Sequence, residues 1–325
     1  MYMNSNHLIQ QAAMAPSGHN TQPWKFEVIK NIIRIHPDFS RRLPVVDPDD
    51  LALYISLGCA LENLVIAAQK DGYSSKVNYF PNNEEYLEVE LSEGPSSEVT
   101  DLYRAIAERQ SNRRIYNGST IPDDHLQQLA DANIYPDVDL KTIQTTDKEI
   151  EPVIQFVKEA NRIQFNDSAF VEELISWIRF SKHEALEQKD GLTSSAMGFP
   201  SVPRWLGNII IRKFAQPEGE AKKCEKMIRS SAALMFFIAK YRTKKNWVDV
   251  GRSFERAALT AASLGISHAH LNMPCEVEAV QKKLSEYLEL GAGEEPVLLI
   301  RFGYAKPMPR SPRRDFSEIM ISKDS

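Results

Sequence analysis

Two polar stretches of this 325-residue chain carry side chains in patterns that can grip a ligand. The first is Ala15-Pro16-Ser17-Gly18-His19-Asn20-Thr21-Gln22-Pro23-Trp24. A small hydroxyl, a glycine, two side-chain amides and two prolines make its backbone stiff while polar groups face outward, which suits a flat ligand with polar edges. Read as local structure alone, Ser17 to Gln22 is turn chemistry between a helix and a strand. The second stretch is Arg109-Gln110-Ser111-Asn112-Arg113-Arg114. Guanidinium forks hold phosphate bidentately and a serine adds a donor. The plain alternative is a solvated basic helix end. A further basic run, Pro307-Met308-Pro309-Arg310-Ser311-Pro312-Arg313-Arg314, lies near the C-terminal end.

Other candidates carry less. His268 and His270 flank one alanine, a ligand spacing on a strand, but no Asp, Glu or third His follows closely, so no metal is expected. Cys275 after Pro274 reads as a small buried thiol before it reads as a nucleophile. The sequence contains no G-x-S-x-G, P-loop or G-x-G-x-x-G pattern, so hydrolase, kinase and Rossmann readings have no support.

The elements that must position these groups follow from periodicity. Leu8, Ile9, Ala12 and Ala13 recur at helical spacing behind a cap at Ser5 or Asn6, and Pro16 ends the run. Trp24, Phe26 and Val28 alternate as a half-buried strand, with a hairpin turn at Lys30-Asn31. Asp47-Pro48-Asp49 caps a helix from about Asp50 to Asp71, apolar on nearly every side and closed by Gly72, which belongs in a core. Strands are expected at Val77 to Phe80, Tyr86 to Leu91, Val138 to Thr145, Ala232 to Ala239 and Pro296 to Tyr304. Helices are expected from Ser97 into Arg109, from Asp123, over Asp249 to Leu264 before Gly265, and over Glu276 to Leu288. Residues 147–231 alternate between helical and irregular; Trp177, Phe180, Phe199, Trp205 and Phe214 with the Gly191 to Pro203 bends read either as a lid or as packed helices with a loop.

Composition sets the outer limits. The chain is 42% hydrophobic and 26% charged, as ordinary globular proteins are, with room for one large or two moderate domains. A net charge of -5 leaves no footprint for nucleic acid or an anionic membrane. The longest apolar run, Leu51 to Ala68, holds Glu62 and Asn63, so a buried helix is expected in place of a span. Three cysteines without a C-x-x-C pair, and an N-terminal stretch without a signal pattern, fit a reducing cytoplasm.

An internal repeat organises the whole. Gly58-x-x-x-Glu62 with Gly72 matches Gly251-x-x-x-Glu255 with Gly265, and the helix-loop-strand of Leu8 to Val28 has a counterpart in His125 to Thr145. The motif Ala-Pro-Ser-x-x-Asn-Thr-Gln-Pro-Trp at 15–24 resembles the flavin-contacting loop of the FMN-dependent nitroreductase superfamily, and Arg-x-Ser-x-Arg at 109–113, followed by Tyr116 and Ile121-Pro122, resembles the element that opens ordinary members. In that family the two elements come from different subunits of a dimer. Here one chain carries both, as in the duplicated, Acg-like branch.

The resemblance implies an α+β fold of nitroreductase type, a mixed sheet flanked by helices, with a first half at 1–96 and a second at 97–325 that contains the segment 147–231. It implies FMN, with Pro16, Ser17, Gly18 and Asn20 on the isoalloxazine ring and Arg109, Ser111 and Arg113 on the phosphate, ribityl chain and pyrimidine side. It adds one or more of Arg310, Arg313 and Arg314 to the phosphate clamp, and His270, Leu271 and Asn272 opposite flavin N5, where the family's Pro-x-Glu-Gly pattern is absent. The implied activity is hydride transfer from NADH or NADPH through FMN to a small-molecule acceptor such as a nitroaromatic or quinone. The chain would act as a pseudo-dimeric monomer or as a homodimer. The alternatives are an FMN sequestration or storage protein with an occluded site, and a flavin-fragmenting or dehalogenating relative. A lid that packs Trp205 or Phe199 on the flavin favours storage; an open pocket favours turnover.

Overall fold

The computed structural model describes residues 4–95 and 100–321, without the side chains of Thr100 and Phe214. The expected helix start at Ser97 and the expected division between halves at 96/97 lie outside the described residues. In chain order, α1 (Ser5–Ala12) leads through a 3-10 turn (Gly18–Asn20) into β1 (Trp24–Ile29) and β2 (Ile32–Pro37). Next come α2 (Leu51–Lys70), β3 (Tyr73–Tyr79), β4 (Leu87–Glu93), α3 (Thr100–Glu108), α4 (Asp123–Asp131) and β5 (Val138–Gln144). A long segment then holds α5 (Ile150–Asn166), α6 (Ser168–Trp177), β6 (Ile178–Arg179), α7 (Lys182–Gln188), β7 (Leu192–Thr193), α8 (Ser194–Met197), α9 (Arg204–Phe214) and α10 (Pro217–Arg229). The chain continues through β8 (Ala233–Ala239), α11 (Lys244–Ser263), β9 (Ser267–His270), α12 (Met273–Glu276), α13 (Glu278–Tyr287), β10 (Glu295–Gly303) and α14 (Phe316–Ile319).

Two four-stranded antiparallel sheets share one topology. The first runs β1-β2-β4-β3 and the second β5-β8-β10-β9, so in each a pair of strands is followed by a long helix, an edge strand and a central strand. Where the first half joins its opening strands by the Lys30-Asn31 turn, the second inserts α5 to α10. The parallel pairing expected of a mixed sheet is confined to single bridges, Phe26 with Met320 and Ser111 with His268, and to the short ribbon β6/β7.

Local chemistry explains most boundaries. The Asp47 carboxylate accepts from Ala52 N and Leu53 N, both at 3.0 Å, and so closes the start of α2, while Gly72 takes φ +84° beyond its end. The cap of α1 is Asn4, whose Oδ1 accepts from His7 N at 3.2 Å, just before the expected Ser5 or Asn6. α11 starts at Lys244 and not at Asp249, because Thr243 supplies the capping hydroxyl to Asn246 N. The helix expected over Glu276 to Leu288 is broken at Val277 into α12 and α13.

α2 and α11 cross at their glycines. A Cβ on Gly58 would lie 2.1 Å from Val248 O, and one on Gly251 would lie 2.0 Å from Ile55 O. Cys59 Sγ donates to Gly251 O at 3.2 Å across the same crossing. α2 is long and apolar enough to span a bilayer, but it is mostly buried between the first sheet and α11. Gly58→Ala or Gly251→Ala should therefore lower the unfolding free energy by about 1–3 kcal/mol, despite the roughly 1 kcal/mol that alanine gains in helix propensity. Urea unfolding checks this, and an unchanged midpoint would mean the crossing can spread without cost.

Candidate functional site

The loop after α1 is held in an uncommon backbone conformation. His19, Asn20 and Gln22 take φ of +48°, +55° and +52°, a region that non-glycine residues occupy at a cost of about 1–3 kcal/mol each. Surrounding bonds hold it there. Ser17 Oγ accepts from Gln22 N at 2.9 Å, and the Gln22 side chain donates to Lys189 O at 2.9 Å and accepts from Arg314 N at 2.8 Å. Asn20 Nδ2 donates to Gly191 O at 3.1 Å while Gly191 N returns a bond to Asn20 O at 3.2 Å.

Guanidiniums converge on this loop. Arg109, at the end of α3, donates to Met14 O at 2.9 Å and lies 3.2 Å from Glu255 on α11, with side chains only 3% and 0% exposed. Neither Glu255 oxygen nor Arg109 Nε makes a well-aligned hydrogen bond, and burial pushes the Glu255 carboxyl up despite Arg109. Arg313 donates to Asn20 Oδ1 at 2.8 Å and to Met14 O and Ala15 O at 3.1 and 3.2 Å, while its Nε is buried without a partner. Burial and then the Arg109 charge push Arg313 down to about 9.

Arg113 and Arg310 form no side-chain hydrogen bond or ion pair among the described residues. Arg113 is exposed to the cavity, and the surrounding protein with the nearby Arg301 lowers its guanidinium. Its backbone is pinned from behind. Arg301, fully buried, stacks 3.9 Å from the Tyr116 ring and donates to Asn112 O and Arg114 O at 3.1 and 2.8 Å. Asn112 N in turn bonds His268 O on β9 at 2.8 Å.

These groups surround a cavity of about 660 Å³, lined by Pro16, Ser17, Asn20, Arg109, Ser111, Arg113, Arg310 and Arg313 among others. A second, more apolar cavity of about 1090 Å³ shares Pro16, Ser17, Arg113 and Leu192 with it. Gly18, His19, Cys59, Phe254, His270 and Asn272 line its inner side. The pair thus offers a strongly cationic end and an adjoining broad apolar slot.

No protein-family model matches the chain. The Mycobacterium tuberculosis protein named "Putative NAD(P)H nitroreductase Rv3131" is 26% identical over 319 residues, which cover 95% of this chain and 88% of that protein. "Putative NAD(P)H nitroreductase acg" of the same organism is 22% identical over 328 residues, 96% of this chain and 93% of its own. The chain is nitroreductase-like. Among solved structures, a nitroreductase with bound FMN from Desulfitobacterium hafniense aligns with 67% of this chain and 95% of its own at 15% identity and a TM-score of 0.41.

The structure puts all but two of the residues expected at the site on the walls of these two cavities. Leu271 is buried against Leu234 and Phe236 of β8 and Leu299 of β10 with its N–H on Leu299 O, because one step past the end of β9 turns the side chain from the cavity to the interior. Arg314 points away as well, toward Gln22 O, Trp24 O and Asp38, where it fastens the C-terminal segment to β1. The expected aromatic cover is also different. Trp205 is 66% exposed on α9, Phe199 lines a separate apolar cavity beneath that helix, and Trp177 lies under Arg41 and Arg179. Phe180 belongs to a small core with Ile175 and Ile178, and the Phe214 side chain lies outside the described residues. The second cavity is instead walled by Phe165, Phe170, Leu174 and Leu192. Sequence reasoning missed these because apolar residues that line a slot have the same spacing as those that fill a core.

His19 and His270 both line the second cavity and are held neutral. Burial and then Arg113 lower His19 to about 4 and His270 to about 3. The unfolded chain, with histidines near pH 6.5, takes up more protons than the folded chain between these values. The stability they contribute is therefore complete above about pH 6.5 and lost as pH falls toward 4 and 3. The urea midpoint should drop between pH 7 and 5, and His19→Asn with His270→Asn should flatten that slope; an equally steep slope in the double variant would remove these two imidazoles as its source.

Proposed function

We propose that the chain is an FMN-dependent NAD(P)H oxidoreductase with one flavin site per chain. The observation that carries the reading is the meeting of two partnerless guanidiniums, Arg113 and Arg310, with the incompletely bonded Arg109 and Arg313 beside an apolar slot. Like charges enclosed together are stabilised by an anion, and a phosphate matches the forks. The residues present fit FMN: the cationic cavity suits the phosphate, and the Pro16-Ser17-Gly18 wall suits the edge of a flat ring. When bound, FMN supplies the redox chemistry, taking a hydride from reduced nicotinamide and passing electrons to an acceptor such as a quinone or nitroaromatic. The chain's residues hold it, exclude water and leave the second cavity open for the two substrates in turn. That opening favours turnover over storage, since neither Trp205 nor Phe199 lies across it.

The single site follows from an asymmetry between matching glutamates, read as the product of an internal duplication. Glu62 stands four residues after Gly58 as Glu255 stands four after Gly251. Glu62 is closed in by Arg252 at 2.8 Å, Arg256 at 2.9 Å and the Tyr135 hydroxyl at 2.6 Å. Burial would raise its carboxyl, but the two arginines and that hydroxyl hold it below the usual range. Protein groups thus occupy at Glu62 the place that opens to a cavity near Glu255. The free, buried Cys59, Cys224 and Cys275 suit a reducing cytoplasm.

The purified protein should be yellow, carry one FMN per 36.9 kDa chain, bleach with NADH or NADPH under anaerobic conditions and recover with a quinone. Arg113→Ala should weaken FMN binding by roughly 1.5–3 kcal/mol and shift stability by about 0.5 kcal/mol or less. Arg109→Ala should weaken binding too, and also destabilise the fold by about 3–5 kcal/mol, because Glu255 is left buried without a cation. A flavin that neither bleaches nor exchanges would favour storage. A colourless chain that takes up no FMN, or one that holds two, would refute the proposal.

A further inference from the structure

The apolar cavity has one polar wall that the flavin reading leaves without a role. Glu276 of α12 lines it together with Gln164 of α5 and Asn272, which precedes α12. Gln164 Nε2 donates to Glu276 Oε2 at 2.7 Å and Asn272 Nδ2 donates to Oε1 at 3.3 Å. Glu276 is exposed to the cavity, and no ion pair reaches its carboxyl among the described residues. A carboxylate that faces a cavity with no cation beside it attracts one. Two amide donors also leave part of the acceptor capacity of a carboxylate unused.

The remaining charges sharpen the contrast. His19 and His270 line the same cavity but are held neutral, and Arg113 stands where the two cavities join. Nearby Asp47, engaged with the N–H groups of α2, is pushed up to about 6 by burial, with Asp50 and Glu276 adding like charge. The Glu276 wall therefore disfavours an anion and lacks a cation.

We propose that Glu276, positioned by Gln164 and Asn272, is the substituent-binding subsite of the acceptor pocket and selects flat aromatic acceptors bearing a cationic or hydrogen-bond-donating group over those bearing an anionic one. The inference rests on the reading of this cavity as the flavin-side pocket. A ring seated in the apolar slot directs such a substituent at the free lone pairs of Glu276, where no protein cation competes. An anionic substituent there meets the Glu276 carboxylate instead.

The test uses the full chain as purified, with three probes that share a 4-nitrophenyl ring and differ in one small substituent: 4-nitrobenzylammonium, neutral 4-nitrotoluene and 4-nitrobenzoate. Calorimetric titration gives affinities without turnover, and anaerobic NAD(P)H-driven reduction gives kcat/KM. In the wild type, both measures should favour the ammonium over the carboxylate by about 10-fold or more, the size of one charge-assisted contact. Glu276→Gln should shrink the ammonium-to-nitrotoluene ratio by about 10-fold, mainly through KM. Equal wild-type affinities for cation and anion overturn the subsite without need of any variant, as does a ratio that Glu276→Gln leaves unchanged. Failure of the chain to hold FMN or to be bleached by NAD(P)H refutes the oxidoreductase reading separately, and the calorimetric ratio then decides the subsite alone.

Discussion

The contact between α2 and α11 at Gly58 and Gly251 is the constraint on which the rest of the molecule depends. Backbone atoms meet there at a distance that admits no side chain. The crossing joins the long helix of the first sheet to that of the second, and it fixes Glu62 and Glu255 one turn away. Met14 and Ala132, which follow the matching helices α1 and α4, supply the carbonyls that meet Arg109 and Arg256. The two environments therefore begin alike and diverge in what closes them.

Around Glu255 the charge balance is uneven by construction. Arg109, Arg113, Arg310 and Arg313 face a volume beside the buried Glu255, whose carboxyl is held above its usual range; the surrounding protein with Arg301 lowers Arg113, and burial with Arg109 and Arg310 lowers Arg313. Such a site is unfavourable when considered alone and becomes favourable when an anion enters it. The strained turn at His19 to Gln22 belongs to the same balance, because its bonds to Gly191, Lys189, Arg313 and Arg314 are what hold the cationic segments together. Stability given up locally is recovered in the crossing and in the Glu62 network.

The core and the two polar stretches were legible in the sequence for different physical reasons. α2 could be read because an all-round apolar helix with a glycine stop has few alternatives, and the 15–24 loop because proline, glycine and amide side chains restrict the backbone at each step. β9 was not foreseen as a strand, since its histidines give no apolar alternation; His270 faces a cavity and His268 is buried. Leu271 and Arg314 show the limit of neighbour-by-neighbour reasoning: each lies beside a cavity-facing residue, and a single step along an extended chain reverses the direction of the side chain. The slot walls in α5 and α6 were illegible, because Phe165, Phe170 and Leu174 differ from core residues only in what stands opposite them.

The inserted segment decides which half holds the open site. It leaves the second sheet between β5 and β8, yet its contacts of consequence are with the first half: Gly191 with Asn20, Lys189 with Gln22, Glu173 with the backbone N–H groups of Val45 and Val46, and Asp190 with Arg41. An insertion tied in this way covers only one of two related positions. The first half has a two-residue turn at the matching point and can offer no such cover, so the other position is closed from within by Tyr135, Arg252 and Arg256. A symmetric pair of sheets thus becomes a molecule with one sheltered cavity, and the walls supplied by the insertion, Gln164 among them, are the part of that cavity most free to set what enters it.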